Sequence, residues 1–205
     1  MVLAAAPIAA VPPTPPADIP LLYLTWHAPH GDPRARTALS VDCRDTTGVD
    51  TLYLTFETRR RGFRFTGMSG TLVFEPQAGD TLGPYWFRAR GEANEAMTFV
   101  DFDLLLNSEY VDSPWERLVT GSVGFTHVGG RGRLDVSAHV TPKQAKNLFP
   151  RTRYAFARVK LLRARGRLAG CQQPMSIAWV GACAYSSLGE SMWVPPGPNR
   201  RVTRE

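Results

Sequence analysis

The segment TLYLTFETR, residues 51–59, decides the fold class because its side chains alternate between apolar and polar. Leu52, Leu54 and Phe56 fall on one face of an extended strand, and the residues between them fall on the other. Alternation with a period of two is typical of a strand with one buried face. A helix would instead place its apolar residues three and four positions apart. The segment therefore predicts a β-strand that lies against a core.

Similar short segments recur along the chain, separated by glycine, proline and polar residues. The clearest are LLYLTWHA, TALSVDC, GTLVFEP, PYWFRAR, RLVTGSVGFTHV, GRLDVSAHV and PMSIAWVGACAYSS. About ten such strands, with turn residues between them, are typical of an antiparallel β-sandwich or a barrel, and we predict the sandwich. One short helix is expected near residues 142–148, because Thr141 can cap it and Pro142 fits its first position.

The two ends of the chain differ in composition from the middle. Residues 1–18 are rich in alanine and proline, and MVLAAAPIAAV has the length and small residues of a signal-peptide core, although no Lys or Arg precedes it. We expect this segment to be signal-like or disordered, residues 19–194 to form the sandwich and residues 195–205 to form a flexible basic tail. The sequence thus favours export to the periplasm or the cell exterior. No apolar run approaches the ~20 residues of a membrane-spanning helix.

One segment carries a family resemblance. VDTLYLTFETRRRGFRFTGMSGTLVFEP, residues 49–76, resembles the opening of cohesin-like bacterial extracellular β-sandwich domains. In these domains a strand of aliphatic and aromatic residues leads through a glycine turn to an acid–proline step. The resemblance implies a jelly-roll sandwich that binds protein or carbohydrate, with no catalytic residue and no cofactor to carry over. This chain differs from cellulosomal cohesins in being markedly basic.

The charge of the chain is unevenly distributed. Its formal net charge is +6, and residues 141–170 hold nine Lys or Arg and no Asp or Glu. Such a field attracts anions. We expect a basic docking surface made of Arg59, Arg60, Arg61, Lys143, Lys146, Arg158, Lys160, Arg163, Arg165 and Arg167. The favoured partner is an acidic protein surface, as for an accessory subunit of a membrane-associated complex. Anionic lipid or polysaccharide ranks second, and nucleic acid ranks last because no nucleic-acid-binding module is recognised.

Exposed tryptophans are candidate contacts for a partner, because Trp and Arg are enriched at interface centres. Trp86, Trp115 and Trp193 are the candidates. Trp86 shares strand parity with Arg88 in the predicted strand PYWFRAR, which favours an outward side chain for Trp86. An alternative function follows from the same stretch: Trp86 and Tyr85 could stack on sugars in a carbohydrate-binding module.

The three cysteines leave two interpretations open. If residues 174–186 form one strand, Cys171 and Cys183 lie roughly 40 Å apart, well beyond disulfide reach. Cys43 closes an early strand and Cys171 precedes the last one, so Cys43–Cys171 is the favoured bridge if the protein is exported. The alternative is three free thiols. Cys183 has the parity of Met175 and Trp179, which predicts a buried thiol on an apolar face.

A metal-dependent enzyme is the remaining alternative. In HAPHGD, residues 27–32, His27, His30 and Asp32 are close enough in sequence to share a zinc or copper ion. The spacing is equally that of a polar loop after a strand. We predict no catalytic residues, no metal and no cofactor.

Overall fold

The computed structural model describes residues 21–45, 47–59, 63–77, 81–92, 94, 97–102, 109–115, 119–163, 170–195 and 200–204. Residues 1–18, the expected signal-like segment, lie outside this set. In the described residues, no helix is both long enough and apolar enough to span a membrane.

Twelve strands form two sheets in the described part of the chain. The strands are β1 Leu21–Trp26, β2 Ala38–Leu39, β3 Val49–Glu57, β4 Arg64–Pro76, β5 Thr98–Asp101, β6 Thr120–Val128, β7 Arg131–His139, β8 Lys146–Asn147, β9 Arg153–Leu162, β10 Met175–Ser186, β11 Ser191–Val194 and β12 Arg201–Arg204. The small sheet has the order β1-β3-β9-β5. The large sheet has the order β2-β12-β10-β4-β7-β6, with β11 beside β10 and β8 beside β4. Every pairing is antiparallel except that of β12 with β2.

The core lies between the two sheets, as the alternating pattern predicts. Leu52, Leu54 and Phe56 of β3 are buried together with Leu72 and Phe74 of β4. Trp26 and Trp179 are also fully buried. An aromatic ring buries a large apolar area, so these side chains contribute strongly to the hydrophobic stabilisation of the sandwich. The prediction of an antiparallel β-sandwich is confirmed.

A one-residue bulge in β10 reverses which side chains face the core. Trp179 pairs with Leu72 and Gly181 pairs with Thr71, so Val180 has no partner on β4 and its side chain is exposed. Before the bulge the odd-numbered residues point inward, and after it Ala182 and Ala184 do. The prediction of a buried Cys183 is therefore wrong: its free thiol lies on the outer face and is half-buried.

Two expected elements take a different form. The segment 142–148 contains a single 3-10 turn, Pro142–Gln144, and then the short strand β8 instead of a helix. Residues 84–86 of the predicted strand PYWFRAR also form a 3-10 turn, Pro84–Trp86. Pro84 stands at the first position of that turn, where its fixed φ fits and its missing N–H costs nothing.

A buried ion pair joins the two sheets at one end of the sandwich. Asp50 of β3 and Arg204 of β12 are each 1% exposed, and Oδ2 of Asp50 lies 3.3 Å from Nε of Arg204. Arg204 also donates to the carbonyl oxygen of Cys171 at 2.8 Å and lies over the rings of Tyr85 and Trp86. The expected flexible tail 195–205 is thus replaced, at residues 201–204, by a paired strand with a buried arginine.

Beside this ion pair a disulfide links Cys43 to Cys171, 128 positions apart, with 6.0 Å between the Cα atoms. It is the bridge that the sequence favoured. It holds the segment after β2 against the loop before β10.

We expect loss of this disulfide to destabilise the protein. In the chain-entropy model, closing a loop of this length stabilises the fold by about 5 kcal/mol as an upper value. Reductant should lower the urea midpoint of the wild type towards that of the double variant Cys43→Ser/Cys171→Ser, and should not change the midpoint of that variant. Cys183→Ser is the control and should respond to reductant as the wild type does. An unchanged wild-type midpoint in reductant would contradict the expectation.

We expect Asp50→Asn to lower the free energy of unfolding by about 3–5 kcal/mol, because it leaves the buried Arg204 guanidinium without an anion. Asp45→Asn is the matched control. Both Asp45 and Asp50 pair with Arg163, but Asp45 is exposed, so its substitution should lower the free energy of unfolding by about 1 kcal/mol or less. Denaturant unfolding of both variants measures the difference. Equal losses would show that the buried pair has no special role.

Candidate ligand-binding surface

The outer face of the large sheet carries a shallow depression, which we call the trough, with a volume of about 550 Å³. Strand register places its floor residues in two rows that cross the strands. The first row is Trp193, Cys183, Ser69, Ser137 and Ser122. The second row is Gly181, Thr71, Asp135 and Gly124. Apart from Trp193 at one end, these side chains are small or short, so the sheet surface is lower there than in its surroundings and forms a depression.

Trp193 forms one wall of the trough, and its position depends on a glycine. The indole ring covers Gly181, where a Cβ atom would collide with the ring. With no side chain beneath it, the ring lies against the backbone of β10 and remains 63% exposed. The bulge at Val180 is the reason that Gly181 faces outward at all. The face of the Trp193 ring therefore remains accessible to solvent as a large apolar surface.

Hydroxyl groups line the first row in hydrogen-bonded pairs. The Oγ atoms of Ser122 and Ser137 lie 2.7 Å apart on β6 and β7. The Oγ atom of Ser69 lies 2.9 Å from the Tyr185 hydroxyl, and Tyr185 is itself exposed. Each hydroxyl can both donate and accept, so each pair retains capacity for a further hydrogen bond.

The charged side chains of the trough neutralise each other. Arg133 donates from Nε and Nη2 to the carboxylate of Asp135, at 2.9 Å from Nε to Oδ2, and Thr71 donates to the same carboxylate. Burial on its own would raise the pKa of Asp135, but these hydrogen bonds outweigh it and hold the pKa below its ordinary value. Asp135 is therefore an ionised carboxylate held by Arg133 and Thr71, and the charges of the described residues that line the trough cancel.

In the described part of the predicted basic surface, most side chains lie near acids. Arg158 and Lys160 both contact Oδ2 of Asp101, at 2.8 and 2.7 Å. Arg163 bridges Asp50 and Asp45. Arg59 lies near Glu57, and Lys146 contacts Asp112 at 3.2 Å. Lys143 is exposed.

The remaining predicted arginines, Arg60, Arg61, Arg165 and Arg167, lie outside the described residues. Among the described residues of 141–170, Lys146, Arg158, Lys160 and Arg163 contact acids, so part of the charge excess counted in sequence is compensated in space. Asp101 of β5 sits directly opposite Arg158 of β9, although the two residues are 57 positions apart. Sequence counting could not detect this compensation.

Asp101 gives a pH-dependent prediction. Burial would raise its pKa, but hydrogen bonds from Lys160 and Arg158 outweigh burial and lower it. A carboxylate with a lowered pKa stabilises the fold above its ordinary pKa of about 3.9 and loses that contribution as the pH falls further. The difference in unfolding free energy between wild type and Asp101→Asn should be largest near neutral pH and shrink below about pH 4.

Urea unfolding at neutral and acidic pH measures this difference. Asp42→Asn, at an exposed carboxylate held in a local turn, is the control and should change less between the two conditions. A constant difference for Asp101→Asn would contradict the assignment.

Trp86 and Tyr85 are not available as an outer platform, so both predictions that used them are wrong. Trp86 is 0% exposed and packs on Phe74. Strand parity does not apply because the residue lies in a 3-10 turn. Arg88, which was expected beside it on the surface, is also buried: it donates to the carbonyl oxygens of Met97 and Leu162, and burial lowers its pKa to about 10.

The histidine-rich loop does not gather metal ligands. His30 stacks on Tyr23 with 4.0 Å between ring centroids, and burial followed by the charge of Arg153 lowers its pKa. Asp32 is held by Arg34, with 2.8 Å between Nη2 and Oδ2. Among the described residues, no group of three His, Cys, Asp or Glu side chains converges on one point.

Of the residues that build the trough, the sequence had drawn attention to Trp193, as a candidate for exposure, and to Cys183, which was expected to be buried. The serines and glycines of the floor carried no signal beyond alternation with apolar neighbours. They become recognisable only when the register of five strands brings them together.

Solved structures of similar architecture include bacterial cohesin modules, the family that residues 49–76 resemble. The second type II cohesin module of the ScaA scaffoldin of Acetivibrio cellulolyticus is 9% identical, with 90% of this chain and 96% of that chain covered and a TM-score of 0.42. The cohesin–dockerin complex Coh-OlpC-Doc435 of Clostridium thermocellum gives 8% identity, coverage of 90% and 94%, and a TM-score of 0.46.

A further match is AvmM, which catalyses macrocyclization in alchivemycin A biosynthesis, at 10% identity, coverage of 92% and 85%, and a TM-score of 0.39. No family model and no curated protein matches the chain. At these scores we transfer no ligand or activity from the matched structures, and the function has to be sought in the chain's own surfaces.

Proposed function

We propose that this protein is a non-catalytic binding module that holds its ligand in the trough on the outer face of the large sheet. The observation that carries the proposal is the exposed position of the Trp193 ring against Gly181. The indole is 63% exposed yet lies against the backbone at Gly181, a contact that favours one position of the ring and so lowers the entropy to be lost on binding. Such aromatic side chains dominate the energetics of binding surfaces.

The chemistry of the trough supports binding rather than catalysis. A carboxyl group that acts as a general acid near neutral pH needs a raised pKa, whereas the pKa of Asp135 is lowered and both of its oxygens accept from Arg133. The hydroxyls of Ser69, Ser122 and Ser137 bond to other hydroxyls and not to a base that could activate them.

The Cys43–Cys171 disulfide supports a site of action outside the reducing cytosol, in the periplasm or beyond the cell. In that setting the ligand would be part of a neighbouring cell-surface or secreted component.

Docking of an acidic partner on the basic surface, as an accessory subunit of a membrane-associated complex, is a second candidate function. The exposed side chains of Lys143 and Arg151 favour it, because both residues belong to the positively charged segment. The compensation of Arg158, Lys160 and Arg163 by acids argues that its contribution is smaller than the sequence alone suggested.

Capture experiments with the immobilised protein separate the two candidates. Applied to the secreted and surface fractions of the native host, Trp193→Ala should retain about one tenth or less of the material that the wild type retains, because the aromatic anchor is lost. Leu188→Ala removes an exposed apolar side chain outside the trough and should retain wild-type capture.

The basic surface is tested in the same experiment by Lys143→Glu/Arg165→Glu/Arg167→Glu. Capture lost in this triple variant and unchanged in Trp193→Ala would reject the trough in favour of the second candidate. Thermal unfolding of each variant checks that the fold is kept.

A further inference from the structure

We propose that the trough binds an uncharged oligosaccharide segment, with the Trp193 ring stacked on one sugar and the serine row hydrogen-bonded to the sugars that follow. This inference rests on the proposed function of the trough and adds the chemical class of its ligand. The sugar contact that the sequence placed at Trp86 and Tyr85, which are buried in a 3-10 turn, is assigned instead to Trp193 on strand β11.

The first argument is the combination of one flat apolar plate with many hydroxyls. A pyranose ring presents C–H groups on its faces and hydroxyls around its edge. The Trp193 indole offers an apolar face with a polar N–H at its rim, which suits the face of a sugar. The hydroxyls of Ser69, Ser137 and Tyr185 offer both donors and acceptors, which suits the edge of a sugar.

The second argument is linear arrangement. Trp193, Cys183, Ser69, Ser137 and Ser122 are successive partners on five neighbouring strands, so they follow one line across the sheet. Four inter-strand spacings make this line about 19 Å long. A linear chain of several sugars can lie along such a line, with the stacked sugar at one end, whereas a globular protein partner would need a broader contact area.

The third argument is charge. Among the described residues that line the trough, the charged side chains are Arg133 and Asp135, and they bind each other in hydrogen bonds from Nε and Nη2. An anionic ligand would have to displace Asp135 from Arg133, and a cationic one would have to displace Arg133. An uncharged ligand needs to displace neither. The bound pair can still accept and donate at its remaining positions, as polar groups in sugar sites do.

A glycan array tests the proposal. It should contain neutral oligosaccharides of graded length together with sulfated and uronic-acid-containing ones, and it should be read at about 0.15 M and 1 M salt. We expect binding to neutral chains, stronger for chains of several sugars than for disaccharides, and similar at both salt concentrations because no net charge is involved. Trp193→Ala should lower the affinity for the best neutral chain by about ten-fold or more, and Trp193→Phe by less.

One control variant and one further site variant separate the effect of the site from the effect of folding. Leu188→Ala should bind as the wild type does, because Leu188 is exposed away from the trough. Ser137→Val, which places a residue of high β-propensity on β7 but removes the hydroxyl, should weaken binding to the same neutral chain. Isothermal titration with that chain gives the affinities, and thermal unfolding shows whether each variant is folded.

The outcomes distinguish this inference from the proposed function. Binding confined to acidic glycans and lost at high salt would overturn the uncharged ligand. If no glycan binds while Trp193→Ala still abolishes capture from the native host, the ligand class is wrong and the trough remains the binding site. If neither assay depends on Trp193, both proposals fail.

Discussion

The ion pair between Asp50 and Arg204 is the interaction on which the architecture depends most. It joins β3 of the small sheet to β12 of the large sheet inside the core, where an unpaired charge would be very costly. The tight turn at residues 84–86 packs on the same guanidinium, and the carbonyl oxygen of Cys171 accepts from it. Sheet pairing, turn and disulfide therefore meet at one buried charge, and each constrains the position of the others.

At that end of the sandwich the charged groups form a chain from the interior to the surface. Arg163 shares Asp50 with Arg204 and also reaches the exposed Asp45. The Asp50 carboxylate thus pairs with two guanidinium groups, and Arg163, the outer of the two, links it to the protein surface through Asp45. Burying charge in this way gives little net stability, but it strongly disfavours any register of β12 that would move Arg204 away from Asp50.

On the opposite side of the large sheet, the bulge at Val180 has the equivalent role for the trough. Without it, Gly181 would face the core, and the Trp193 ring would have no flat place to lie. The bulge also places Ala182 and Ala184 inward, where their small side chains are buried in the core. The trough and the packing below it depend on the same bulge.

The sequence was sufficient for the sandwich, because Leu52, Leu54 and Phe56 repeat with the strand period and the core requires that repeat. It was not sufficient where local geometry departs from a strand. Parity failed at Trp86, which lies in a 3-10 turn, and at Cys183, which follows the bulge. Counting charges along the sequence also failed to show where charge accumulates, because Asp101 meets Arg158 only through strand pairing. The trough was out of reach for the same reason: its residues come from five strands.

The division of each strand between an inner and an outer row has an evolutionary consequence. Leu72 and Val136 pack in the core, whereas their neighbours Thr71 and Ser137 face the trough. Substitutions in the outer row change the chemistry of the trough with little effect on folding, since surface positions tolerate change far better than core positions. Under the proposed function, descendants of this chain can therefore diversify in specificity while their scaffold stays the same.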